Sequence, residues 1–408
     1  MYISKIIGYN EKNGTISPCV RKASRVEVIL VMTVLFGADL VPTPTNFDRF
    51  SAADIDALVD RPLQDILFCA DHRVFNLELA LTDRPAPVVK CGPALAAPTS
   101  TIAGIAALRP SLLTLANNHV RDHGVRGLHD TVQTLDAAGI PHIGAADTYE
   151  EADRPFILRD GEHTVCLYSC AEHEFTIIEE DIGGANPFDP LETPDRIAAL
   201  KAQYDYVVVL YHGGKEHYRY PSLALRKTCR KLVEKGADLV ICQHTHCVGC
   251  AEAYQGGTIV YGQGNFLFDH LSNEYWQTSI LVSADFSDGM TVRYIPIVKN
   301  GISVRLANKT EAEDILGGLA ERSTHLDDDA FLRASYLEAV RPEIPHYLYM
   351  LAGSKGSGLP FREGFGDNLN PHELGAMFNC INCEVHRETI TTYLWDLIKQ
   401  ADPNLKEG

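Results

Sequence analysis

The sequence predicts an α/β (α+β) fold, a layered, mixed sheet flanked by helices and followed by a mostly helical C-terminal extension. Three observations carry this reading. Short, nearly continuous apolar runs recur up to about residue 300, the mark of strands buried on both faces. Segments of helical spacing lie between several of them and close on a glycine. Beyond residue 301 the strand-like runs stop and helical spacing takes over.

Residues 1–31 read as an N-terminal extension with little structure, and Met32 is an alternative start. Val28–Ala38 follows Arg21, Lys22 and Arg25 and superficially has the look of a signal-peptide core. It is short and runs straight into Gly37-Ala38-Asp39, so Val28–Phe36 is read as a first buried strand. Further strand-like runs are Ile66–Ala70, Val74–Leu77, Leu112–Leu115, Val165–Ser169, Tyr206–Tyr211, Leu239–Cys242 and Thr258–Tyr261. Gly127–Ala138 and Ser222–Lys235 have helical spacing and end at Gly139 and Gly236, residues suited to a helix C-cap. Ser279–Val298 alternates like two strands around a turn at Asp288-Gly289. Residues 32–300 are expected to form the main domain. Residues 301–408 are expected to be a helical extension packing on it, with helices over Thr310–Glu321, Asp328–Val340 and Glu384–Lys399. Leu332, Tyr336, Leu337 and Val340 have the spacing of a buried stripe, as do Tyr393, Leu394, Leu397 and Ile398.

A chain of 408 residues with 45% hydrophobic and 22% charged residues can bury a core without disulfide or metal staples. Its formal net charge of -18 argues against nucleic acid and anionic membranes as partners, and an anionic substrate would need a cation at its site. No apolar stretch is long enough to span a membrane. The 11 cysteines are odd in number and several sit inside apolar runs, which reads as a reduced, cytoplasmic protein. Cys247-x-x-Cys250 and Cys380-x-x-Cys383 have zinc-site spacing, but small buried residues are the commoner reading.

Five of the apolar runs end in polar clusters. These are Asp39, Glu78 after Asn76-Leu77, Asn118 within Asn117-Asn118-His119, His212, and His244 with His246. In layered α/β proteins ligands bind beyond the carboxyl ends of the strands, so these donors converge on one edge. Carboxylate, imidazole and amide oxygen together suit a divalent transition ion such as Mn, Fe or Zn, one or two per chain. Singly, each residue has a plainer reading. Asp39 reads as a turn residue before Pro42, Glu78 as a strand-end surface charge, and His212 as a hydrogen-bonded core histidine. His244-Thr245-His246 has the strand period of two, which would put both imidazoles on the same side of a strand. It is the combination that favours a metal centre.

The motifs then resemble a known family. Asn76-Leu77-Glu78, Leu81-Thr82-Asp83 and Lys90-Cys91-Gly92-Pro93 are similar to a signature of the CapA family, associated with poly-γ-glutamate capsule synthesis and related in fold to calcineurin-like phosphoesterases. Leu115–Ala145, His212–Glu216, Gly236–His246 and Tyr261–Asp269 complete the set in order, over about residues 33–300. Calcineurin-like enzymes usually begin with Asp-x-His, whereas Asp39 is followed by Leu40 and Val41, and Glu78 stands where an aspartate is usual. Both departures are typical of CapA-like proteins.

The resemblance implies a metallophosphoesterase-like sandwich with a binuclear-type site and a metal-activated water. Glu78 would bridge two ions, Asp39 and His246 would complete one position, and Asn118, His212 and His244 the other. His119 would act as general acid, oriented by Asp122 three residues on. Lys90, Lys215, Glu216 and Asn265 are candidate substrate contacts, toward a small or polyglutamate-like anionic substrate. Three functions stay open at this stage: a hydrolase acting on a γ-glutamyl or other amide polymer, a phosphoesterase on a small phosphorylated substrate, and a non-catalytic capsule-assembly protein that keeps the fold.

Overall fold

The computed structural model describes residues 9–10, 15–16, 32–88, 93–159, 163–174, 176–179, 182–269, 272–287, 289–342, 381 and 398. Within the N-terminal extension, Tyr9–Asn10 and Thr15–Ile16 pair as a short antiparallel ladder. The chain divides into two compact units, residues 1–327 with Gly408, and residues 328–407.

The first unit is built on two sheets. One contains β1 (Thr33–Leu40), β2 (His72–Leu77), β3 (Leu112–Thr114) and β4 (His142–Ile143), all parallel. The other contains β5 (Phe156–Arg159), β6 (Thr164–Ala171), β7 (Tyr206–His212), β8 (Leu239–Gln243), β9 (Ala251–Tyr254) and β10 (Gly257–Val260), in the order β5-β6-β7-β8-β10-β9 with a parallel centre. The first sheet is extended beside β1 by β11 (Asn265–Leu267) and by the antiparallel run β12 (Thr278–Asp285), β13 (Thr291–Asn300) and β14 (Ser303–Leu306).

The strand period of two sorts the apolar residues into layers. Val34, Phe36, Val74 and Leu112 of the first sheet share one core with Val208, Leu210, Leu239, Ile241 and Val260 of the second. Their neighbours face outward: Leu35, Phe75 and Leu113 pack with Leu63, Leu67, Ile105, Leu128 and Leu135. Val207, Val209 and Cys242 pack with Ile197, Leu200, Leu225 and Leu232. These outer residues come from helices α1 (Arg61–Cys69), α2 (Ile102–Ala107), α3 (Gly124–Ala137), α4 (Glu192–Lys201) and α5 (Leu223–Glu234). The result is helices, sheet, sheet and helices, the expected layered sandwich.

One detail differs from the sequence reading. Ile66–Ala70 is not a strand, because its first four residues belong to α1. Asp60 caps that helix by accepting from the Leu63 N–H at 3.2 Å, Pro62 sits in its first turn, and Leu63 and Leu67 form an i, i+4 buried stripe. A capped amphipathic helix thus outweighs a short apolar run. The described part of the first strand begins at Thr33, and Val28–Val31 lie outside the described residues. The glycine caps are as expected: Gly139 and Gly236 have φ of 67° and 112°, the left-handed region that ends helices.

β1 carries a bulge. Its register against β2 shifts between Phe36 and Asp39, which re-aims Asp39. Gly37 lies in that bulge, where a Cβ would fall 2.2 Å from the Phe75 ring.

The strand β14 and helix α6 (Lys309–Ser323) belong to the first unit. Asn308 and Glu311 form a capping box at the start of α6, and Ile315 and Leu319 enter the core between the sheets. The Leu306 N–H donates to Asp60 Oδ1 at 3.1 Å. Truncation after residue 300 is therefore expected to expose this core and aggregate or unfold the chain, since each buried aliphatic side chain is worth about 1.5–3 kcal/mol. Truncation after residue 327 is expected to leave the first unit folded. Thermal melts and gel filtration of the two fragments check this, and a residue-300 fragment melting like its parent would refute it. In the second unit, α7 (Asp329–Val340) forms as the spacing predicts, though Leu337 of the expected stripe is 56% exposed. Of the expected Glu384–Lys399 helix, only Ile398 is a described residue; it is helical.

Candidate metal centre

Parallel strands of both sheets deliver their carboxyl ends to one place. Asp39 lies on β1, Glu78 follows β2, and Asn118 and His119 follow β3. His212 ends β7, and His244 and His246 follow β8. All seven are buried. Two overlapping groups of donors result: Asp39, Glu78 and His246 in one, Glu78, His212 and His244 in the other, with ligand atoms within 4.8 Å of one another in each. Asn118 joins the second group, its Oδ1 3.0 Å from His212 Nε2.

The lone pairs left over are the informative feature. Asp39 Oδ2 and both carboxylate oxygens of Glu78 are buried without a hydrogen-bond partner. Leaving buried carboxylate oxygens unpaired is costly, so the arrangement calls for a cation. Histidines supply part of the balance: His212 Nε2 lies 3.4 Å from Glu78 Oε1, and His246 Nδ1 lies 3.5 Å from Asp39 Oδ2. Burial alone would raise Asp39, but His246, His212 and the Asn76 amide outweigh it and hold the carboxyl below its ordinary value. Burial likewise opposes charge on His246, yet Asp39 and Glu78 prevail and push it up to about 9. His212 is raised in the same way, chiefly by Glu78 against burial. His244 goes the other way, well below its ordinary value, through burial and then the neighbouring His212, His246, His119 and Lys215. The donor set, carboxylate, imidazole and amide oxygen around shared buried lone pairs, fits a divalent transition ion.

His119 stands apart from these candidate ligands. Its Nδ1 is 2.6 Å from Asp122 Oδ2, and its Nε2 is 4.0 Å from Glu78 Oε1. Asp122 Oδ2 also accepts the Leu95 N–H at 2.6 Å, so the carboxylate is fixed from a second side.

Lys215 is half-buried and Glu216 exposed. Asn265 is buried at the start of β11, its Oδ1 2.8 Å from His246 Nδ1. Lys90 lies outside the described residues. Cys250 and Cys247 are buried, and Cys250 Sγ donates to the Arg219 carbonyl at 3.3 Å, while Cys380 and Cys383 lie outside the described residues.

The expected strand period does not aim the histidine pair: β8 stops at Gln243, and His244 and His246 sit in the following turn with φ of 81° and 54°. The left-handed backbone, not a strand pleat, turns both rings toward the site, with centroids 6.0 Å apart. Three residues escaped sequence reasoning. Asn76 donates through Nδ2 to Asp39 Oδ1 at 2.8 Å, and Asn117 donates to Asn76 Oδ1 at 3.1 Å, a relay of amides behind the ligand. Both lie inside motifs quoted for their neighbours. Glu172, directly after β6, was a sixth polar strand end, hidden because the apolar run was cut at Ser169.

Fold and site together define a layered α/β sandwich with a candidate metal centre at the carboxyl edge of both sheets. A family model described as "Bacterial capsule synthesis protein PGA_cap" matches residues 33–270, and the chain belongs to that family. Capsule biosynthesis protein CapA of Bacillus anthracis is 27% identical over 181 residues, 43% of this chain and 44% of that protein. PGA biosynthesis protein CapA of Bacillus subtilis (strain 168) is 29% identical over 162 residues, 39% of this chain and 43% of that protein. The matches thus span less than half the length of either relative. Among solved structures, a novel phosphatase from Mycoplasma pneumoniae covers 66% of this chain and 95% of its own at 11% identity and a TM-score of 0.42, a likeness too distant to bear on activity.

Proposed function

We propose that this chain is a metal-dependent hydrolase of the capsule-synthesis family, holding one or two divalent transition ions (Mn, Fe or Zn) in a binuclear-type site. The observation that carries the reading is Glu78: fully buried, shared by both donor groups, with neither oxygen hydrogen-bonded. Asp39 and His246 would complete one position, and Asn118, His212 and His244 the other. Bound ions would supply a nucleophilic water near neutral pH and polarise the bond to be broken. The chain's own residues do the rest. Asn76 and Asn117 hold Asp39 in place. Asp122 keeps the His119 ring oriented, and His119 Nε2 hands a proton to the leaving group as general acid. Lys215 places positive charge beside the site of an otherwise acidic protein, with Glu216, Asn265 and Lys90 as further substrate contacts.

The family's association with capsule and polyglutamate favours a γ-glutamyl or similar anionic polymer as substrate, with a small phosphoester as the alternative. A non-catalytic assembly role is the third reading. The buried thiols of Cys166, Cys170, Cys229, Cys242, Cys247 and Cys250, none in a disulfide, support a reducing, cytoplasmic setting. Among the described residues no helix is long and apolar enough to cross a membrane. Elemental analysis of protein prepared without chelator tests the metal. One or two Mn, Fe or Zn per chain is expected, with a lower content in His244→Ala. Metal-free protein from metal-supplemented growth would falsify the hydrolase reading. A panel of phosphoesters and γ-glutamyl peptides then separates the two substrate classes.

A further inference from the structure

Glu172 is absent from every ligand role assigned above, yet it touches two of the elements that carry ligands. Its backbone N–H donates to the His212 carbonyl at 3.0 Å, continuing the β6–β7 ladder past its last residue. Its Oε2 accepts the Gly214 N–H at 3.0 Å. Its other oxygen, Oε1, lies 3.4 Å from His244 Nε2. Room for this carboxylate depends on Gly213, where a Cβ would come within 2.9 Å of Glu172 Oε2. One oxygen is thus pinned by backbone and the other lies beside an imidazole nitrogen.

The second nitrogen of that imidazole, His244 Nδ1, is buried and without a hydrogen-bond partner. His244 also sits at φ 81°, a backbone conformation that a histidine holds only when its surroundings impose it. We infer that Glu172 is the positioning residue for His244, taking the Nε2–H of the neutral ring and so leaving the Nδ1 lone pair for a divalent ion. The inference rests on the metal reading proposed above and adds the residue that selects the tautomer. A neutral imidazole carries one N–H, and a carboxylate on one nitrogen decides which lone pair is free.

There is a competing role for the same atoms. Glu172, Glu174 and His244 also lie within reach of one another as a donor group, so Glu172 would then be a ligand itself. Titration of the metal-free chain with Zn(II) or Mn(II), read by calorimetry or chelator competition, separates the two. Glu172→Leu, with similar bulk and no acceptor, is expected to weaken one bound ion by about 10–100-fold without changing the number bound. Glu172→Gln keeps an acceptor oxygen and is expected to stay close to the parent affinity. In a His244→Ala background, Glu172→Leu should cause no further loss. Melting of each variant in excess chelator confirms that the fold persists, and Glu172→Ala replaces Glu172→Leu if the latter does not fold. Unchanged affinity in Glu172→Leu, or an additive loss in the double variant, overturns the positioning role. So does a drop of one ion in both Glu172→Leu and Glu172→Gln, which would make Glu172 a ligand. A parent chain that binds no ion overturns the metal reading and this inference together.

Discussion

Glu78→Gln is expected to strip the chain of most of its metal and to lower any hydrolytic activity by on the order of a thousandfold or more. The substitution keeps the volume but removes the charge and replaces one oxygen by an NH2 group. Glu78 is the one residue common to both donor groups, so a single change takes a ligand from each position. Neither of its oxygens accepts a hydrogen bond. The ions are asked to supply several kcal/mol of transition-state stabilisation, and about 4 kcal/mol corresponds to roughly a thousandfold in rate. Metal content per chain and turnover are measured side by side, with melting in excess chelator as the control for folding. If Glu78→Gln copurifies with the parent's metal content, the centre has been put in the wrong place.

His119→Ala should separate metal from chemistry. The ring is tied to Asp122 at Nδ1, and no donor group includes it, so metal content is expected to stay at the parent level. Activity is expected to fall about a hundredfold to ten-thousandfold, the usual contribution of a positioned general acid. The loss should shrink for substrates with a good leaving group, which need no proton to depart. Asp122→Asn leaves the proton donor in place and loosens its orientation, so a smaller loss is expected. Asn118→Ala is the contrast: adjacent in sequence, it is expected to lose metal. Equal metal loss in His119→Ala and Asn118→Ala would show that the pair has been assigned in reverse.

Much of this was legible in the residues. The parallel strands announce themselves because they are covered on both faces: Val207–Leu210 alternates between two cores and so reads as an unbroken apolar run. The ligand candidates are legible for a related reason, since polar residues that close such runs have no solvent-side explanation. What is hidden depends on local geometry. Ile66–Ala70 has the composition of a strand, and only the cap at Asp60 with the Leu63–Leu67 stripe shows a helix. The backbone at His244 and His246 is left-handed although neither is glycine, so nothing in the spacing of the pair reveals how it is aimed. Asn76, Asn117 and Glu172 make hydrogen bonds to residues far away in the chain, and spacing along the sequence carries no trace of such contacts.

The two sheets contribute unequal chemistry to the centre. Asp39, Glu78 and Asn118 come from the first sheet, His212, His244 and His246 from the second, so the carboxylates and the imidazoles arrive on opposite sides. Each donor group draws on both. An ion bound there would therefore be a rivet through the seam of the sandwich, resisting shear between two slabs that also meet there through side-chain contacts such as Asn118–His212. Ion binding and resistance to unfolding become one quantity, since an ion that binds only the assembled seam stabilises it by RT ln(1 + [L]/Kd), about 2.7 kcal/mol at a hundred times Kd. Scarcity of the metal would then be felt first as a loosened molecule, before it is felt as a slow one.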